Sequence, residues 1–374
     1  MRHGFTTGSC ATAASKAAAL ALLLGIEKEN IVIKTPKGIN YKAEILDLNV
    51  TKDKASCAVI KDGGDDPDVT TGAHVYSEVC ILERFDNEEQ VEILIDGGQG
   101  VGRVTKPGLD QPVGNAAINH VPREMIEKEV FDICDKADFH GKLKVTISVP
   151  EGEKIAESTF NPRLGVVGGI SIIGTSGIVE PMSSQALLDT IKVELNQRRV
   201  SGYSYVAVSP GNYGIDYMKK AYGYDLDKSV KCSNFIGDTI DMAVELGFEK
   251  MLLTGHIGKL IKVSGGIMNT HSKEGDCRME LMAAAAAKAG VSMETILKIL
   301  DCVVTEEGIR HIQNENKVCE VMNIIMDRIM FFLNKRAAGK IKIECVMYSN
   351  EFGELARSEG AANWLTLLAQ EQEQ

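Results

Sequence analysis

The pattern of apolar and polar positions predicts one buried helix followed by short strands in the first third of the chain. Apolar and small residues cover nearly every face of a helix from about Cys10 to Leu24, as expected for a helix inside a core. Ser9 or Thr7 can cap its first amides, and Gly25 is expected to end it. Short runs rich in β-formers predict strands over residues 31–35, 41–48, 55–60, 75–83 and 90–95.

No helical pattern separates these strands, so we expect an antiparallel or mixed sheet. A helix over residues 123–139 follows Pro122, and a further strand covers 142–149. Residues 1–150 are therefore predicted to form an α+β layered sandwich that carries an N-terminal Thr/Gly loop and a long Gly-rich loop. The polar stretch 150–162 predicts a linker.

Strand and helix patterns alternate after the linker. This alternation indicates right-handed crossovers and a mostly parallel sheet. Residues 151–374 are therefore predicted to form a Rossmann-like α/β domain with Gly-rich loops at its strand ends. The predicted strands are 164–173, 205–209, 250–254 and 340–347, and the helices are 183–199, 234–246 and two or three within 276–333.

Composition and charge exclude several classes of protein. A chain of 374 residues fits two domains, and a net charge of −11 argues against a nucleic-acid partner. The longest uninterrupted apolar run, residues 17–24, is far shorter than the roughly 20 residues that span a bilayer. Arg2 and His3 run directly into a polar loop rather than a signal sequence. We therefore expect a cytoplasmic protein without a membrane partner.

The nine cysteines are spread singly along the chain. They form no CxxC pair, and neither they nor the histidines show the spacing of a zinc site. We therefore expect reduced thiols and no structural metal. Cys10 stands near a helix start, where a thiol can become nucleophilic, but a small buried residue is the favoured interpretation.

Three glycine-rich loops follow predicted strands of the second domain. They cover residues 166–184, 209–214 and 254–272. Ligands of open parallel sheets bind where such loops meet, and free amides at helix starts favour anionic groups. The spacing is not G-x-G-x-x-G, so a dinucleotide is only weakly indicated. The structural alternative for each loop is a tight turn that needs glycine.

Two loops of the first domain also invite a functional interpretation. The acidic run 62–72 has oxygen ligands suited to calcium or magnesium, although a solvated turn is favoured. The loop over 96–125 is longer than an ordinary connection. It carries Arg103, Lys106 and Arg123, which suit anion binding, with solvated surface charges as the alternative.

Long motifs in a fixed order identify a family resemblance. The chain closely resembles the CbiD family, the cobalt-precorrin-5B C(1)-methyltransferases of anaerobic cobalamin biosynthesis. The motifs that carry the resemblance are GFTTGSCATAASKAA, GGDDPDVTTGA, GGQGVGRVTKPGL, VGNAAINHVPR, NPRLGVVGGISIIGTSGIVEPMS, SPGNYG, CSNFIGD and TGHIGKLIKVSGGIMNTHS.

The resemblance implies transfer of a methyl group from S-adenosylmethionine to ring carbon 1 of cobalt-precorrin-5B, which gives cobalt-precorrin-6A. Cobalt then arrives inside the tetrapyrrole substrate. The positive charge on sulfur is lost during such a transfer, and the protein mainly aligns donor and acceptor. A carboxylate near the sulfonium and a base for protons of the macrocycle would complete the site, and we assign Glu180 and His256 to these catalytic roles.

The remaining site predictions follow from the two ligands. The glycine-rich strand ends are assigned to the donor, and distributed cations with a polar helix start are assigned to the carboxylates of the macrocycle. The predicted cofactor-binding residues are Gly168, Gly169, Gly174, Thr175, Ser176, Gly177, Gly211, Asn212 and Gly255. The predicted substrate-binding residues are Thr6, Thr7, Gly8, Ser9, Arg103, Lys106, Arg123, Arg163, Lys259, Lys262 and His271.

Two other functions stay open at this point. The first is another group transfer to a polyanionic substrate through the N-terminal Thr/Ser/Cys loop. The second is a corrinoid or tetrapyrrole carrier without catalysis, which would need only one ligand site. Three strand-end loops and a long first-domain loop favour an enzyme with two ligands. A homo-oligomer and transient contacts with other enzymes of the pathway are also left open.

Overall fold

The chain divides into two compact units, Met1–Ser183 and Ser184–Gln374. The computed structural model describes residues 2–85, 90–159, 161–180, 184–211, 215–225 and 228–372. Residues 151–183, which the sequence pattern groups with the second domain, lie within unit 1. They do so because their short strands pair with strands from the first 104 residues of the chain.

Unit 1 combines two longer helices with one main sheet and several two-residue strands. Its elements are β1 (Gly4–Phe5), α1 (Thr7–Leu24), β2 (Asn30–Lys34), β3 (Asn40–Glu44), β4 (Leu46–Val50), β5 (Lys54–Ile60), β6 (His74–Arg84), β7 (Val91–Gly97), β8 (Gly100–Val101), β9 (Arg103–Val104), α2 (His120–Lys136), β10 (Gly141–Ser148), α3 (Gly152–Ala156), α4 (Asn161–Leu164), β11 (Val166–Val167), β12 (Gly169–Ile170) and β13 (Ile178–Val179).

The main sheet of unit 1 has five strands in the order β4-β5-β6-β10-β7. Its neighbours are antiparallel except β10 and β7, which are parallel. Alternate residues of the strands are buried, as at Leu143, Val145 and Ile147 of β10, so one face of the sheet packs on a core. The expectation of a mixed sheet is confirmed.

Helix α1 fills the core of unit 1. It ends at Gly25 with φ 65°, as predicted. The expected cap by Ser9 or Thr7 is wrong: the helix begins one residue after Thr6, whose side chain accepts a hydrogen bond from the Ser9 amide at 3.2 Å. By length and composition α1 could cross a membrane, yet 72% of it is buried inside the protein. The uninterrupted apolar run 17–24 is only part of this helix, and burial of this extent is that of a core helix. Its contacts are with α2, β5 and β6.

Two predictions near the end of unit 1 are wrong. The expected strand over 164–173 is broken into α4, β11 and β12, because Gly165 and Gly168 adopt φ values of 82° and 83° that interrupt an extended strand. The expected linker over 150–162 contains α3. Val149 accepts a hydrogen bond from the Gly152 amide at 2.7 Å, which starts this short helix.

Unit 2 consists of helices around one sheet. Its elements are α5 (Ser184–Val200), β14 (Tyr205–Ser209), α6 (Ile215–Tyr222), β15 (Val230–Lys231), α7 (Ile236–Glu245), β16 (Lys250–His256), α8 (Ile257–Val263), α9 (Arg278–Lys288), α10 (Met293–Leu300), α11 (Thr305–Gln313), α12 (Val318–Ala337), β17 (Lys342–Ser349), β18 (Gly353–Arg357) and α13 (Ala361–Gln372).

The sheet of unit 2 has the order β15-β14-β16-β17-β18. The first four strands are parallel and β18 is antiparallel to β17. The chain leaves β14 towards β15 on one side and leaves β16 towards β17 on the other. The crossovers therefore diverge between the carboxyl ends of β14 and β16, where open sheets leave a crevice.

Apolar side chains cover both faces of this sheet. Neighbouring residues of each strand point to opposite faces, so Val206 and Val208 join one core cluster whereas Ala207 joins another. The larger cluster includes residues of α7, α8, α9 and α12, and the smaller one includes residues of α6 and α13. Four helices, α9 to α12, occupy 276–333 instead of the two or three expected; Gly290, with φ 76°, separates α9 from α10.

Candidate functional site

A cavity lies at the carboxyl ends of the parallel strands of unit 2. Its volume is about 230 Å³. It opens at the end of β14, at the end of β16 and at the end of β17, where loops of a parallel sheet are expected to form ligand sites. The lining residues are Pro210, Gly211, Gly255, His256, Gly258, Lys259, Arg278, Val304, Thr305, Glu306 and Tyr348.

His256 is the last residue of β16 and the N-cap of α8. Its Nδ1 accepts a hydrogen bond from the Gly258 amide at 3.1 Å, so the ring proton must reside on Nε2. Nε2 lies 3.0 Å from Glu306 Oε1. Burial lowers the pKa of His256, although Glu306 opposes this shift. The imidazole is therefore held neutral, in one tautomer, at the cavity wall.

Glu306 lies in the first turn of α11, where a negative charge is favourable. Its carboxylate accepts hydrogen bonds from the Thr305 hydroxyl at 2.9 Å and the Ser349 hydroxyl at 3.1 Å. Burial favours a raised pKa for Glu306, but these hydrogen bonds and His256 outweigh burial and lower the pKa overall. The cavity therefore contains an ionised carboxylate at neutral pH.

Two cationic side chains complete the lining. Lys259 Nζ donates to the carbonyl oxygens of Pro210 at 2.7 Å and Ser233 at 3.2 Å, and burial lowers its pKa. Arg278 pairs with both carboxylate oxygens of Asp276 at 2.6 and 2.8 Å. Lys259 thus ties the end of β14 to α8 while keeping one N–H for a ligand.

The cavity brings together four of the residues predicted from the sequence: Gly211, Gly255, His256 and Lys259. The adjacent Asn212 lies outside the described residues. At Gly255 an added Cβ would lie 2.9 Å from the Leu260 side chain, so this glycine serves packing as well as the cavity.

Lys262 and His271 do not line this cavity. Lys262 is buried, and its Nζ donates to the carbonyl oxygens of Thr270 at 3.3 Å and Gly275 at 3.0 Å. His271 is exposed, and its Nδ1 accepts from the Lys273 amide at 3.1 Å. In the structure both side chains brace the loop that follows α8.

The loop over 168–177, predicted to bind the cofactor, belongs to unit 1. It packs against other segments of that unit: an added Cβ at Gly169 would lie 2.1 Å from the Gly100 oxygen, and one at Gly174 would lie 2.7 Å from Thr6 Oγ1. Ser176 Oγ donates to the Ile178 oxygen at 3.1 Å. Thr175 is exposed. Close approach to the Gly100 backbone therefore accounts for glycine at position 169, and close approach to the Thr6 side chain accounts for it at position 174.

The N-terminal loop is engaged inside unit 1. Thr7, Gly8 and Ser9 are buried. Ser9 Oγ donates to the Gly177 oxygen at 2.6 Å, and the Thr6 amide donates to the same oxygen at 3.2 Å. These contacts join the start of α1 to the loop over 168–177.

Glu180 also belongs to unit 1, whereas His256 belongs to unit 2. Its carboxylate pairs with Lys37, and both side chains are substantially exposed. The hydrogen bond and charge of Lys37 lower the pKa of Glu180. An exposed, paired carboxylate is a weaker partner for a ligand cation than one inside a cavity.

The predicted basic residues of unit 1 differ in their contacts and in their exposure. Arg123 donates to the carbonyl oxygens of Ile118 and Ile95, each at 2.8 Å, and Arg103 pairs with Asp96 at 2.6 Å. Lys106 donates to the Arg163 oxygen at 3.2 Å, and both side chains are exposed. Arg123 therefore braces the backbone from a half-buried position, whereas the side chains of Lys106 and Arg163 are exposed.

Cys10 is fully buried in α1. Its thiol lies 3.5 Å from the Tyr41 hydroxyl, and burial raises the pKa of Cys10 to about 11. Such a thiol stays protonated at neutral pH, so the favoured interpretation of a small core residue agrees with the geometry.

The acidic loop over 62–72 is held by ion pairs. Lys61 is buried and pairs with Asp68, and Arg2 pairs with Asp62. Among the described residues, no three His, Cys, Asp or Glu side chains are grouped so that they could hold a metal ion. The absence of a structural metal stays a prediction.

Five lining residues lie outside the loops that the sequence pattern singled out: Arg278, Val304, Thr305, Glu306 and Tyr348. Tyr348 lies near the end of β17, the fourth parallel strand, and Thr305 and Glu306 start α11, so strand-end and helix-start patterns mark both places. No spacing rule connects them to His256, because only the folded sheet brings these segments to one edge.

Comparison with known proteins places this architecture in context. Residues 1–181 match the family model described as CbiD, and residues 269–359 match the model described as CbiD, C-terminal domain. The chain is 48% identical over 94% of its length to a protein of Ruminiclostridium cellulolyticum and 43% identical over 99% to one of Alkaliphilus metalliredigens, covering 89% and 96% of those chains. Both are named cobalt-precorrin-5B C(1)-methyltransferase.

A solved structure is also similar. It is the crystal structure of a cobalamin biosynthesis protein (cbiD) from Archaeoglobus fulgidus, 28% identical, covering 78% of this chain and 85% of that chain with a TM-score of 0.38.

Proposed function

Because the chain belongs to the CbiD family, we propose that it is a C-methyltransferase that methylates ring carbon 1 of cobalt-precorrin-5B in anaerobic cobalamin biosynthesis. The observation that carries this proposal is 48% identity, over 94% of the chain, to a relative named for that activity. The product is cobalt-precorrin-6A, and cobalt is part of the substrate.

The methyl donor in this proposal is S-adenosylmethionine, which supplies an activated methyl group. The cavity of unit 2 suits one end of it: about 230 Å³ is less than the roughly 300 Å³ at which sites for drug-sized ligands begin. Gly211, Gly255 and Gly258 allow close approach to the backbone. Lys259 offers a donor for a carboxylate. These residues would hold the donor.

The macrocycle is proposed to bind through its ring of carboxylates. Exposed cations suit this role best, and Lys106 and Arg163 of unit 1 are exposed. The other substrate-binding assignments, including those of the N-terminal loop, stay predictions.

The N-terminal loop can be tested directly. Replacing Thr6 and Thr7 together by valine should raise the KM for the macrocycle strongly if their hydroxyls contact it. Loss of the Thr6 cap should also cost about 1 kcal/mol of stability, so KM is measured well below the melting temperature of the variant. An unchanged KM would remove the loop from the substrate site.

Several broader features belong to the same proposal. We infer that unit 1 is an α+β layered sandwich and unit 2 a Rossmann-like domain; the two-sided covering of the mostly parallel sheet supports the second part. A cytoplasmic location fits a biosynthetic enzyme with nine free cysteines. A homo-oligomer and transient contacts with neighbouring enzymes are further expectations.

The proposal is tested by mass spectrometry. Cobalt-precorrin-5B is incubated with the purified protein and methyl-labelled S-adenosylmethionine, and the macrocycle should gain one labelled methyl group. The carrier alternative predicts an intact, bound macrocycle without label. It also predicts that the protein does not bind S-adenosylhomocysteine, because a carrier needs no donor site.

A further inference from the structure

The Glu306 carboxylate is a negative charge whose hydrogen-bond donors are all neutral. The donors are the Thr305 hydroxyl, the Ser349 hydroxyl and Nε2 of His256. The His256 ring is neutral because its Nδ1 already accepts from the Gly258 amide. These neutral donors orient the carboxylate but bring no positive charge into contact with it.

The basic residues around the cavity contact groups other than Glu306, and Lys259 keeps one N–H for a ligand. Arg278 pairs with Asp276, and Arg310 pairs with Glu351 at 2.6 Å. Lys259 donates to two backbone carbonyls. Within the described part of the chain, His256 is the only ion-pair partner within 4.0 Å of Glu306. Among the described residues no lysine or arginine lies within 4.0 Å of Glu306, and the charges of Arg278 and Arg310 act on it only from a longer distance.

A shielded carboxylate of this kind favours a cation as its ligand. The Glu306 side chain is only 21% exposed, and a charge removed from water gains more from an opposite charge than a fully solvated one does. The space beside it is small, and the Tyr348 ring stands edge-on to the His256 ring with centroids 5.9 Å apart. A compact monovalent cation fits this geometry.

We propose that Glu306 is the counter-ion of the donor's sulfonium and that His256 is a positioning residue which holds the Glu306 carboxylate in place. This inference rests on the proposed function, because it takes S-adenosylmethionine as the donor. It transfers to Glu306 the role that the sequence pattern suggests for Glu180.

The chemistry of methyl transfer determines which kinetic constant changes when Glu306 is replaced. When the methyl carbon bonds to the ring carbon, the electron pair of the broken S–C bond stays on sulfur, which becomes a neutral thioether. A carboxylate next to sulfur therefore stabilises the bound donor more than the transition state. Removing it should raise the KM for the donor without lowering kcat.

The test compares a sulfonium ligand with its neutral thioether. Isothermal titration calorimetry gives Kd values for S-adenosylmethionine and S-adenosylhomocysteine with the wild type and with Glu306→Gln. We expect the Gln variant to lose roughly tenfold in affinity for the sulfonium, with little change for the thioether. Glu307→Gln is the matched control, because this exposed neighbour carries the same charge in the same helical turn but does not line the cavity.

Further variants keep the test decisive. Glu306→Asp retains the charge one methylene further back, so its affinity for the sulfonium should fall between those of the wild type and Glu306→Gln. Circular dichroism reports whether each variant folds. If Glu306→Gln does not fold, Glu306→Asp is compared with the wild type alone. His256→Asn should weaken sulfonium binding in the same direction. An equal loss of affinity for both ligands, or a selective loss in Glu180→Gln or Glu307→Gln instead, would overturn the proposal.

Failure of this inference and failure of the proposed function give different results. The ratio of the Kd values for S-adenosylmethionine and S-adenosylhomocysteine is measured without the macrocycle. If this ratio is the same in Glu306→Gln as in the wild type while labelled methyl still reaches cobalt-precorrin-5B, only the inference fails. Failure of the wild type to bind either ligand would overturn both the inference and the choice of donor.

Discussion

At the scale of single residues, the site depends on one histidine whose protonation is set by its neighbours. His256 accepts from a backbone amide on one side and faces a carboxylate on the other. The N-cap position at the end of β16 fixes Nδ1, and Glu306 therefore selects Nε2 as the site of the proton. Any mechanism that uses a charged imidazole here must first break the helix cap.

The free energy of unfolding should decrease as the pH is lowered, because of His256. Its folded pKa is lowered, so the unfolded chain takes up the proton first as pH falls below about 6.5. The contribution is complete above that pH and is lost on acidification towards the folded pKa, by at most about 1.4 kcal/mol per pH unit. His256→Asn retains a cap acceptor but does not titrate. Urea unfolding at pH 7.5 and 5.5 should show a smaller decrease in the variant; equal decreases would contradict the assignment.

Cys10 should be dispensable for turnover. A buried thiol with a raised pKa is a poor nucleophile, so Cys10→Ala should retain methyl transfer and lose roughly 1 kcal/mol of stability. In the folded wild type, alkylation at neutral pH should modify the exposed Cys319 but not Cys10, as peptide mass spectrometry would show. A Cys10→Ala protein that binds substrate without any turnover would instead favour covalent group transfer.

At the scale of elements, the local sequence pattern predicts those helices and strands whose structure depends on a single chain segment. The end of α1 at Gly25 and the bounds of β14 agree with the predictions because hydrophobic period and turn residues are local properties. The segment over 164–173 failed, since its apolar run resembles a buried strand but positive φ angles at Gly165 and Gly168 divide it. Its real partners, β8 and β9, are more than 60 positions earlier in the chain, and local pattern contains no information about such pairing.

Alanine substitutions at two neighbouring glycines can distinguish a packing role from a ligand-binding role. Alanine at Gly169 would meet the Gly100 backbone and should cost roughly 3 kcal/mol. Alanine at Gly168 meets open space and should cost only about 1 to 2 kcal/mol, for its φ of 83°. Denaturant unfolding of both variants tests this order. If Gly169→Ala keeps full stability and loses affinity for the donor, the glycines of this loop belong to a ligand site after all.

At the scale of the whole molecule, each unit buries its own hydrophobic core. Two separate cores predict two unfolding transitions. Ile126→Ala in unit 1 and Ile325→Ala in unit 2 each empty a buried site and should destabilise by about 2 to 5 kcal/mol. Each substitution should lower the temperature of one transition in differential scanning calorimetry. A single transition that both substitutions shift equally would show that the cores unfold together.

The candidate site shows the same limit of prediction at a larger scale. The rule that ligands bind at strand ends singled out Gly211, Gly255, His256 and Lys259, and the structure brings these four residues to one cavity; their roles stay predictions. It could not supply Glu306 or Arg278, which come from helices with no recognisable motif. It also grouped the loop over 168–177 with the sheet of unit 2, because pattern alone cannot tell which unit a glycine loop joins.

Locating the labelled methyl group tests the central claim most directly. Wild-type protein is incubated with cobalt-precorrin-5B and donor labelled only in its S-methyl group, and tandem mass spectrometry of the product assigns the label to a ring position. The account predicts one label per macrocycle, on ring carbon 1. A bound macrocycle without label, or label on another atom, would contradict it.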